Sequence, residues 1–376
     1  MYPTKKLGEV CEIKKGKKVN YSEQGKYNYI DIGILRTNII EQYTNDEGIF
    51  CNKNDILIAW DGSKSGTVGF GLEGVIGSTL AKITIDTKMF SSEFIGKFLQ
   101  GNFDYLNKNT SGAAIPHLRK DILINLEIPL PPLSTQKLIV EKLDMIFAEI
   151  EKSKNLLEKN LQNVDEMNKS VLEKIFAKDK WERKKLGEVC ENIQYGYTGK
   201  TIECGDVKYL RITDIQNNKI NWEKVPFVDI PKQEISKYSL NEGDIVFART
   251  GATVGKSCVI LKDGIGNVFA SYLIRIVPEE KIFNSNFLQY FFYSENYWKQ
   301  IYEDVVGAAQ PNFNGTKLKQ ISIPLPPLET QKNIVSYLDN IFAENQKLKN
   351  LYQAQIKNLD EMKQSFLKKA FAGELV

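Results

Sequence analysis

Apolar residues recur every three or four positions along two long stretches of the chain. The first runs through Ile139, Leu143, Ile146, Ile150, Leu157, Leu161, Val164, Met167, Val171 and Ile175, with Ser153 filling the one gap. The second runs through Ile334, Leu338, Ile341, Leu348, Tyr352, Ile356, Leu359, Met362, Phe366 and Ala370, with Asn345 at one of its steps and the same spacing throughout. Such a stripe belongs to a helix near the coiled-coil period. Pro131-Pro132 and Pro326-Pro327 stop either helix from starting earlier, and neither stretch contains an internal Pro or Gly. About 40 helical residues extend roughly 60 Å at 1.5 Å per residue. A stripe of that length needs cover. Two copies of matched length predict an antiparallel coiled coil, with Asn345 as a polar position that fixes register. The alternative is that each helix packs on its own domain.

Elsewhere the pattern changes to short runs. Asp55–Trp60 and Gly243–Arg249 read as a turn followed by a strand. Val207–Ile212 alternates as a strand should, and the aromatic-rich stretches Ser91–Leu106 and Asn284–Tyr302 read as helices. The fold class expected is mixed α/β, of the α+β kind.

The chain repeats itself. Residues 5–11 read Lys-Lys-Leu-Gly-Glu-Val-Cys, and residues 184–190 read the same. Pro-Leu-Pro-Pro closes each copy, at 129–132 and 324–327. The stretch 129–176 aligns without a gap to 324–371, with 28 of 48 positions identical. The segments between these landmarks match loosely: Gly62 against Gly251, Gly112-Ala113-Ala114 and Pro116 against Gly307-Ala308-Ala309 and Pro311. One part of the repeat is strict and the other free to vary. A fixed scaffold carrying two differently tuned modules gives that contrast. The boundaries expected are a globular domain at 1–131, a long helix at 132–180, a second domain at 181–326 and a second helix at 327–376, related by a pseudo-two-fold repeat.

A length of 376 residues suits two domains. No run of about 18 apolar residues occurs, and no apolar segment follows the first six residues, so neither a membrane span nor a signal peptide is expected. The cysteines, Cys11, Cys51, Cys190, Cys204 and Cys258, form no CxxC pair, which argues against a zinc site and for reduced thiols in a cytoplasmic setting. A net charge of +3 neither requires nor excludes nucleic acid, and it leaves room for a partner to supply part of any phosphate contact.

Catalytic signals are poor. Gly69-Phe70-Gly71-Leu72-Glu73-Gly74 fits GxGxxG, but the apolar run after it reads as a hairpin, not as the helix a dinucleotide needs. Gly251–Ser257 resembles a phosphate-binding loop with one residue too few between its glycines. His117 is the only histidine, which rules out a multi-histidine metal centre, and its place beside Pro116 predicts a strand end. No cofactor or metal is expected. The rivals to a non-catalytic reading are a self-contained nuclease or methyltransferase and a coiled-coil adaptor that binds no DNA.

Taken in order, the landmarks resemble the specificity subunits of type I restriction–modification systems. The residues that carry the resemblance are Leu7-Gly8-Glu9-Val10 and Leu186-Gly187-Glu188-Val189 at the domain starts, Tyr209–Ile215, Gly243–Gly251, and the Ile-Pro-Leu-Pro-Pro-Leu segments at 128–133 and 323–328, each followed by Thr-Gln. The resemblance covers essentially the whole chain. It implies two target-recognition domains, each reading one half of a split double-stranded DNA target. It also implies a helical spacer that docks methyltransferase subunits, two of them, and an assembly that restriction subunits join. A subunit serving a type IIB or IIG-like enzyme is the near alternative. For phosphate contacts the candidates are Lys14, Lys15, Lys17 and Lys18, in a loop-like run, and Tyr195, Tyr197 and Lys200 in the second copy. For base edges they are Arg249 and Thr250, since Arg is the commonest bidentate reader of guanine. Trp60, Ser63 and Lys64 are their first-copy counterparts, with Trp60 equally readable as core. Arg36 and Arg211 follow strand-like runs and point either to DNA or to an acid.

Overall fold

The computed structural model describes residues 2–37, 39–112, 114–177, 181–216, 218–305 and 312–375. Ala113, Gly307, Ala308, Ala309 and Pro311, all part of the loose landmarks, lie outside the described residues, as do 178–180 at the end of the first expected helix segment. The chain forms two compact units, Met1–Glu158 with Gln353–Val376, and Lys159–Tyr352. The division therefore falls inside both long helices, Leu133–Phe176 and Leu328–Ala372.

In the first unit a four-stranded antiparallel sheet runs in the order Cys11–Lys15, Leu80–Ile85, Ile56–Ala59, Val68–Phe70. The second unit repeats it as Cys190–Tyr195, Leu273–Pro278, Ile245–Ala248, Ser257–Val259. The central strands Ile56–Ala59 and Ile245–Ala248 are wholly buried, which accounts for their unbroken apolar runs. A smaller sheet lies beside the first, with Tyr27–Ile30 parallel to Gly74–Ile76; the second unit keeps this pairing as Tyr209–Leu210 parallel to Val268–Phe269.

Three expectations need correcting. Val68–Phe70 and Gly74–Ile76 are not a hairpin, because they belong to different sheets and Gly71, at φ +78°, turns the chain from one to the other. The strand expected over Val207–Ile212 shrinks to Tyr209–Leu210, since Ile212–Asp214 coils into a 3-10 turn whose Asp214 accepts from the Arg211 backbone. Lys14 and Lys15 lie in a strand, not in a loop, because Ile13 and the backbone ladder to Leu80–Ile85 hold them.

The two strict landmarks of each repeat meet in space. Thr4–Lys6 pairs antiparallel with Glu127–Pro129, and Arg183–Lys185 with Ser322–Pro324. Each domain is thus clasped at its own chain ends. The prolines follow the clasp, where no ladder hydrogen bond is needed. One turn into each long helix sits a glutamine with no exposed surface, Gln136 and Gln331. Gln136 donates to the Met89 and Pro131 carbonyls and accepts from the Ser91 amide. Gln331 makes the same three contacts with Ile282, Pro326 and Asn284. Ser91 and Asn284 in turn cap the helices Ser92–Gly101 and Ser285–Phe291. One side chain therefore ties the start of a long helix to the domain it follows.

Within each unit the two long helices run side by side in opposite directions. In the first, Lys142 donates to the Leu375 carbonyl and Lys154 pairs with Asp360 at 2.7 Å. In the second, Asp165 pairs with Lys349, and Asn345 donates to Asn168 at 2.6 Å. Asn345 is 3% exposed, while its counterpart in the first unit is the buried Ile150. A buried amide is tolerated because it is hydrogen-bonded, and the bond permits one register. The buried stripe drifts along each helix. Met167 and Met362 face solvent, and Leu172, Phe176 and Leu367, off the expected stripe, are buried instead. A straight helix drifts from a strict seven-residue repeat. At these ends the cover comes from the domain: Phe176 packs on Phe287 and Phe291, and Phe371 on Phe94 and Phe98. Removing one such aromatic costs about 3–5 kcal/mol, against about 0–1 kcal/mol for a half-exposed ion pair. Apolar docking holds the helices, and the charges select their alignment.

Gln331→Ala should lower stability by about 2–4 kcal/mol, because it strands a buried amide and two carbonyls. Chemical denaturation checks this. A loss below about 1 kcal/mol would mean the contact is not a joint.

Candidate nucleic-acid interface

Both sheets end in the same kind of corner. In the first unit the strand Ile56–Ala59 runs into Trp60 and Asp61, then turns tightly through Gly62 and Gly66 before returning as Val68–Phe70. The Gly66 amide bonds the Ala59 carbonyl at 2.8 Å, and the Trp60 amide bonds Thr79. The returning segment at 117–118 closes the corner, where the Leu118 amide donates to the Trp60 carbonyl. Asp61 is the hub. Its Oδ2 pairs with Lys15 at 2.8 Å and its Oδ1 with His117 Nδ1 at 2.6 Å. Desolvation works to raise the pKa of this side chain. The hydrogen bonds from Lys15 and His117 outweigh it and hold the carboxyl below its ordinary value. An ionised carboxylate only accepts, so His117 Nδ1 carries a proton, and Nε2 is left for other partners. The His117 side chain is about half exposed (49%), and Asp61 less so (16%).

In the second unit the strand Ile245–Ala248 runs into Arg249 and Thr250, then turns through Gly251 and Gly255. The Gly255 amide bonds Ala248, the Arg249 amide bonds Tyr272, and the Phe313 amide bonds Arg249. The Arg249 guanidinium lies over the Tyr195 ring at 4.9 Å, and the Tyr195 hydroxyl accepts from the Gly315 amide. Arg249 Nε is shielded from solvent without a partner. Among the described residues no carboxylate pairs with Arg249, so its fork is available to a ligand. Gly62 and Gly251, at φ +102° and +77°, have nothing within 4 Å of where a Cβ would stand. Both turns present backbone to open space. The segment Gly251–Ser257 is this tight turn and no phosphate loop, since a strand, Ser257–Val259, follows it where a helix would be needed.

The remaining sequence candidates scatter. Lys17, Lys18, Ser63, Lys64, Lys200 and Arg36 are exposed. Lys14 pairs with its neighbour Glu12 at 3.0 Å. Trp60 is half-buried against the core of its unit. Tyr197 packs on Tyr238, and its carbonyl accepts from the Tyr209 hydroxyl, so it belongs to a satellite core. Both edges of the Arg211 fork close on Asp214, at 3.0 and 2.8 Å. Thr250 stands at the corner beside Asn312. Sequence reasoning passed over Asp61 and His117. The signal present was their repeat partners, Thr250 and Asn312.

At the start of each central strand, the end away from the corner, the sheet carries an ion pair, Lys82 with Asp55 at 3.4 Å and Arg275 with Asp244 at 3.6 Å. Burial raises the Asp244 pKa, against the Asn241 amide and Arg275. Gln194 and the Ser239 carbonyl accept from the two terminal nitrogens of Arg275, and its buried Nε has no partner. These cations are structural. Among the described residues no cluster of three or more His, Cys, Asp or Glu is placed to hold a metal, and no helix is long and apolar enough to cross a membrane.

A family model of the type I restriction modification DNA specificity domain matches residues 2–159 and again residues 178–358. The chain belongs to the type I restriction–modification DNA specificity family. The MjaVIII type I restriction enzyme specificity subunit of Methanocaldococcus jannaschii is 31% identical over 367 residues, 89% of this chain and 85% of that one. A solved chain from work on complex assembly and conformational transition of the type I restriction–modification system covers 99% of this chain and 98% of its own length at a TM-score of 0.80 and 18% identity. The HsdS subunit of Thermoanaerobacter tengcongensis matches at a TM-score of 0.58 and 19% identity, over 99% of this chain and 97% of its own. At those identities the two structures establish the fold. The chain is a type I specificity subunit, as the repeated landmarks led us to expect, and its fold is mixed α and β.

This specificity subunit has one histidine, which makes its tautomer directly measurable. In two-bond nitrogen–proton NMR spectra, the neutral ring should carry its proton on Nδ1, and Asp61→Ala should abolish that preference. A neutral ring protonated on Nε2 in the native protein would contradict the Asp61 contact.

Proposed function

We propose that the globular part of each unit, bounded as 1–131 and 181–326, reads one half of a bipartite DNA target. The helix segments 132–180 and 327–376 pair as an antiparallel coiled coil that sets the gap between the halves. An asymmetric split target needs two unlike readers held at one separation. Major-groove faces recur about every 34 Å, and helices of 44 and 45 residues extend roughly 66 Å. The observation that carries this reading is the duplicated corner: one backbone, repeated, bearing different side chains.

The exposed lysines Lys17, Lys18, Lys64 and Lys200, with Arg36 and Ser63, would position the duplex through phosphates. Lys14 and Tyr197 stand further from that role, since Glu12 and the satellite core engage them. The subunit itself is non-catalytic and needs no cofactor. Methylation and cleavage belong to methyltransferase and restriction subunits in a cytoplasmic complex. Two methyltransferase subunits fit the repeat, because the helices expose matching apolar residues in each copy: Leu156 and Leu351, Met167 and Met362. Exposed apolar residues at matching positions suit two equivalent partners.

Replacing residues 1–130 by the corresponding domain of another specificity subunit should change one half of the methylated sequence and leave the other half and the gap intact. Mapping methylated sites by sequencing checks this. A change in both halves would refute the division of labour.

A further inference from the structure

The repeat compares two readers within one chain and so separates what supports the corner from what varies on it. Strand register, more than sequence order, fixes the equivalences. Lys15 lies opposite Ala81, and Tyr195 opposite Ile274; Ala81 and Ile274 in turn lie opposite Ile58 and Phe247. Lys15 therefore corresponds to Tyr195. The backbone bonds around Trp60 and Arg249 make those two equivalent, and with them Thr79 and Tyr272. The bridges Asp61 to His117 and Thr250 to Asn312 complete the match.

At these places the supporting residues are the same and the presented ones are not. Gly16 and Gly196 each lie where a Cβ would strike carbonyl oxygens of the neighbouring strand, at 2.2 and 2.3 Å. Gly62 and Gly251, and Gly66 and Gly255, hold the left-handed turn in both copies. Between them, Lys is replaced by Tyr, Trp by Arg, Asp by Thr, Thr by Tyr and His by Asn. Trp60 packs partly on the core, but the other replaced groups are polar tips at the solvent boundary, so core packing does not require their divergence.

We propose that these corners are the base-discriminating sites, and that His117, held by Asp61, and Arg249, seated on Tyr195, are their specificity-determining residues. The proposal rests on the two-reader function above and names the chemistry of each reader. Arg249 is an unpaired planar fork stacked on an aromatic ring, with its Nε already out of water. That suits the O6 and N7 acceptors of a guanine in the major groove. No fork exists at the first corner. There the imidazole commits Nδ1–H to Asp61 and leaves Nε2 unengaged, and in the neutral ring that nitrogen is an acceptor. Such an acceptor suits the exocyclic amino group of adenine or cytosine. Asp61 is a positioning residue, since both of its oxygens are engaged within the chain.

The test uses the complete methyltransferase complex in cells, with methylated sites mapped by sequencing for the unaltered chain, Arg249→Lys, Arg249→Ala, His117→Ala and Asp61→Ala. Arg249→Lys keeps the charge and loses the fork. Both Arg249 variants should lose roughly tenfold or more of the preference for one guanine in one half-site. His117→Ala and Asp61→Ala should relax the same single position, an adenine or a cytosine, in the other half-site. Unchanged preferences in both halves would overturn the assignment while leaving the two-reader function standing. A uniform loss of methylation at all sites, with Arg249→Lys as severe as Arg249→Ala, would make Arg249 an anchor and also overturn it. If the unaltered chain directs methylation to a continuous, undivided sequence, the underlying function fails instead.

Discussion

A buried glutamine at the first turn of each long helix is the joint on which the structure depends. Gln136 and Gln331 each bind two carbonyls and one amide, and the amide belongs to the residue that caps a helix of the preceding domain. The clasp between the chain ends of each domain holds the strand from which the long helix departs. Backbone ladder, cap and helix are thereby linked through one fully satisfied polar centre. A half-satisfied centre at the same place would cost more than an apolar one. This explains why Thr-Gln follows the prolines in both copies, where an aliphatic residue would have suited a plain helix stripe.

Rigidity at that joint gives meaning to divergence elsewhere. A reader is useful only if its scaffold returns the same backbone whatever side chains it carries. The two units achieve this with a shared sheet, shared glycines at the turn, and a cation–carboxylate pair at the start of each central strand. Removing one member of such a pair costs about 3–5 kcal/mol, far more than an exposed contact at the corner. The corner residues are therefore free to change and the sheet that carries them is not.

Much of the architecture was legible because long helices leave a long record. Ten steps of three or four residues identify a helix without knowledge of its neighbours. The strands were harder. Several are two or three residues long, too short for alternation to register, and Ile212–Asp214 coils because Asp214 bonds back to Arg211. The proposed interface was half legible. Arg249 stood out by residue type and by the glycines after it. His117 did not, because Asp61, its partner, is 56 residues away in the chain. A single irregularity between Cys190 and Asn192 hides one equivalence: counted along the sequence Lys15 falls opposite Gln194, and only the ladder shows that it matches Tyr195. Arg211 carried a plainer warning in the acid three residues on.

The central claim is that paired helices, jointed to two unlike readers, set the gap in a split DNA target. It is tested most directly by lengthening both helices at one level, with one extra turn of about four residues after Asn160 and another after Gln355. The added rise, roughly 6 Å, should widen the gap between methylated half-sites by about two base pairs and leave the bases of each half unchanged. A complex that assembles, methylates fully and keeps its original gap would contradict the account.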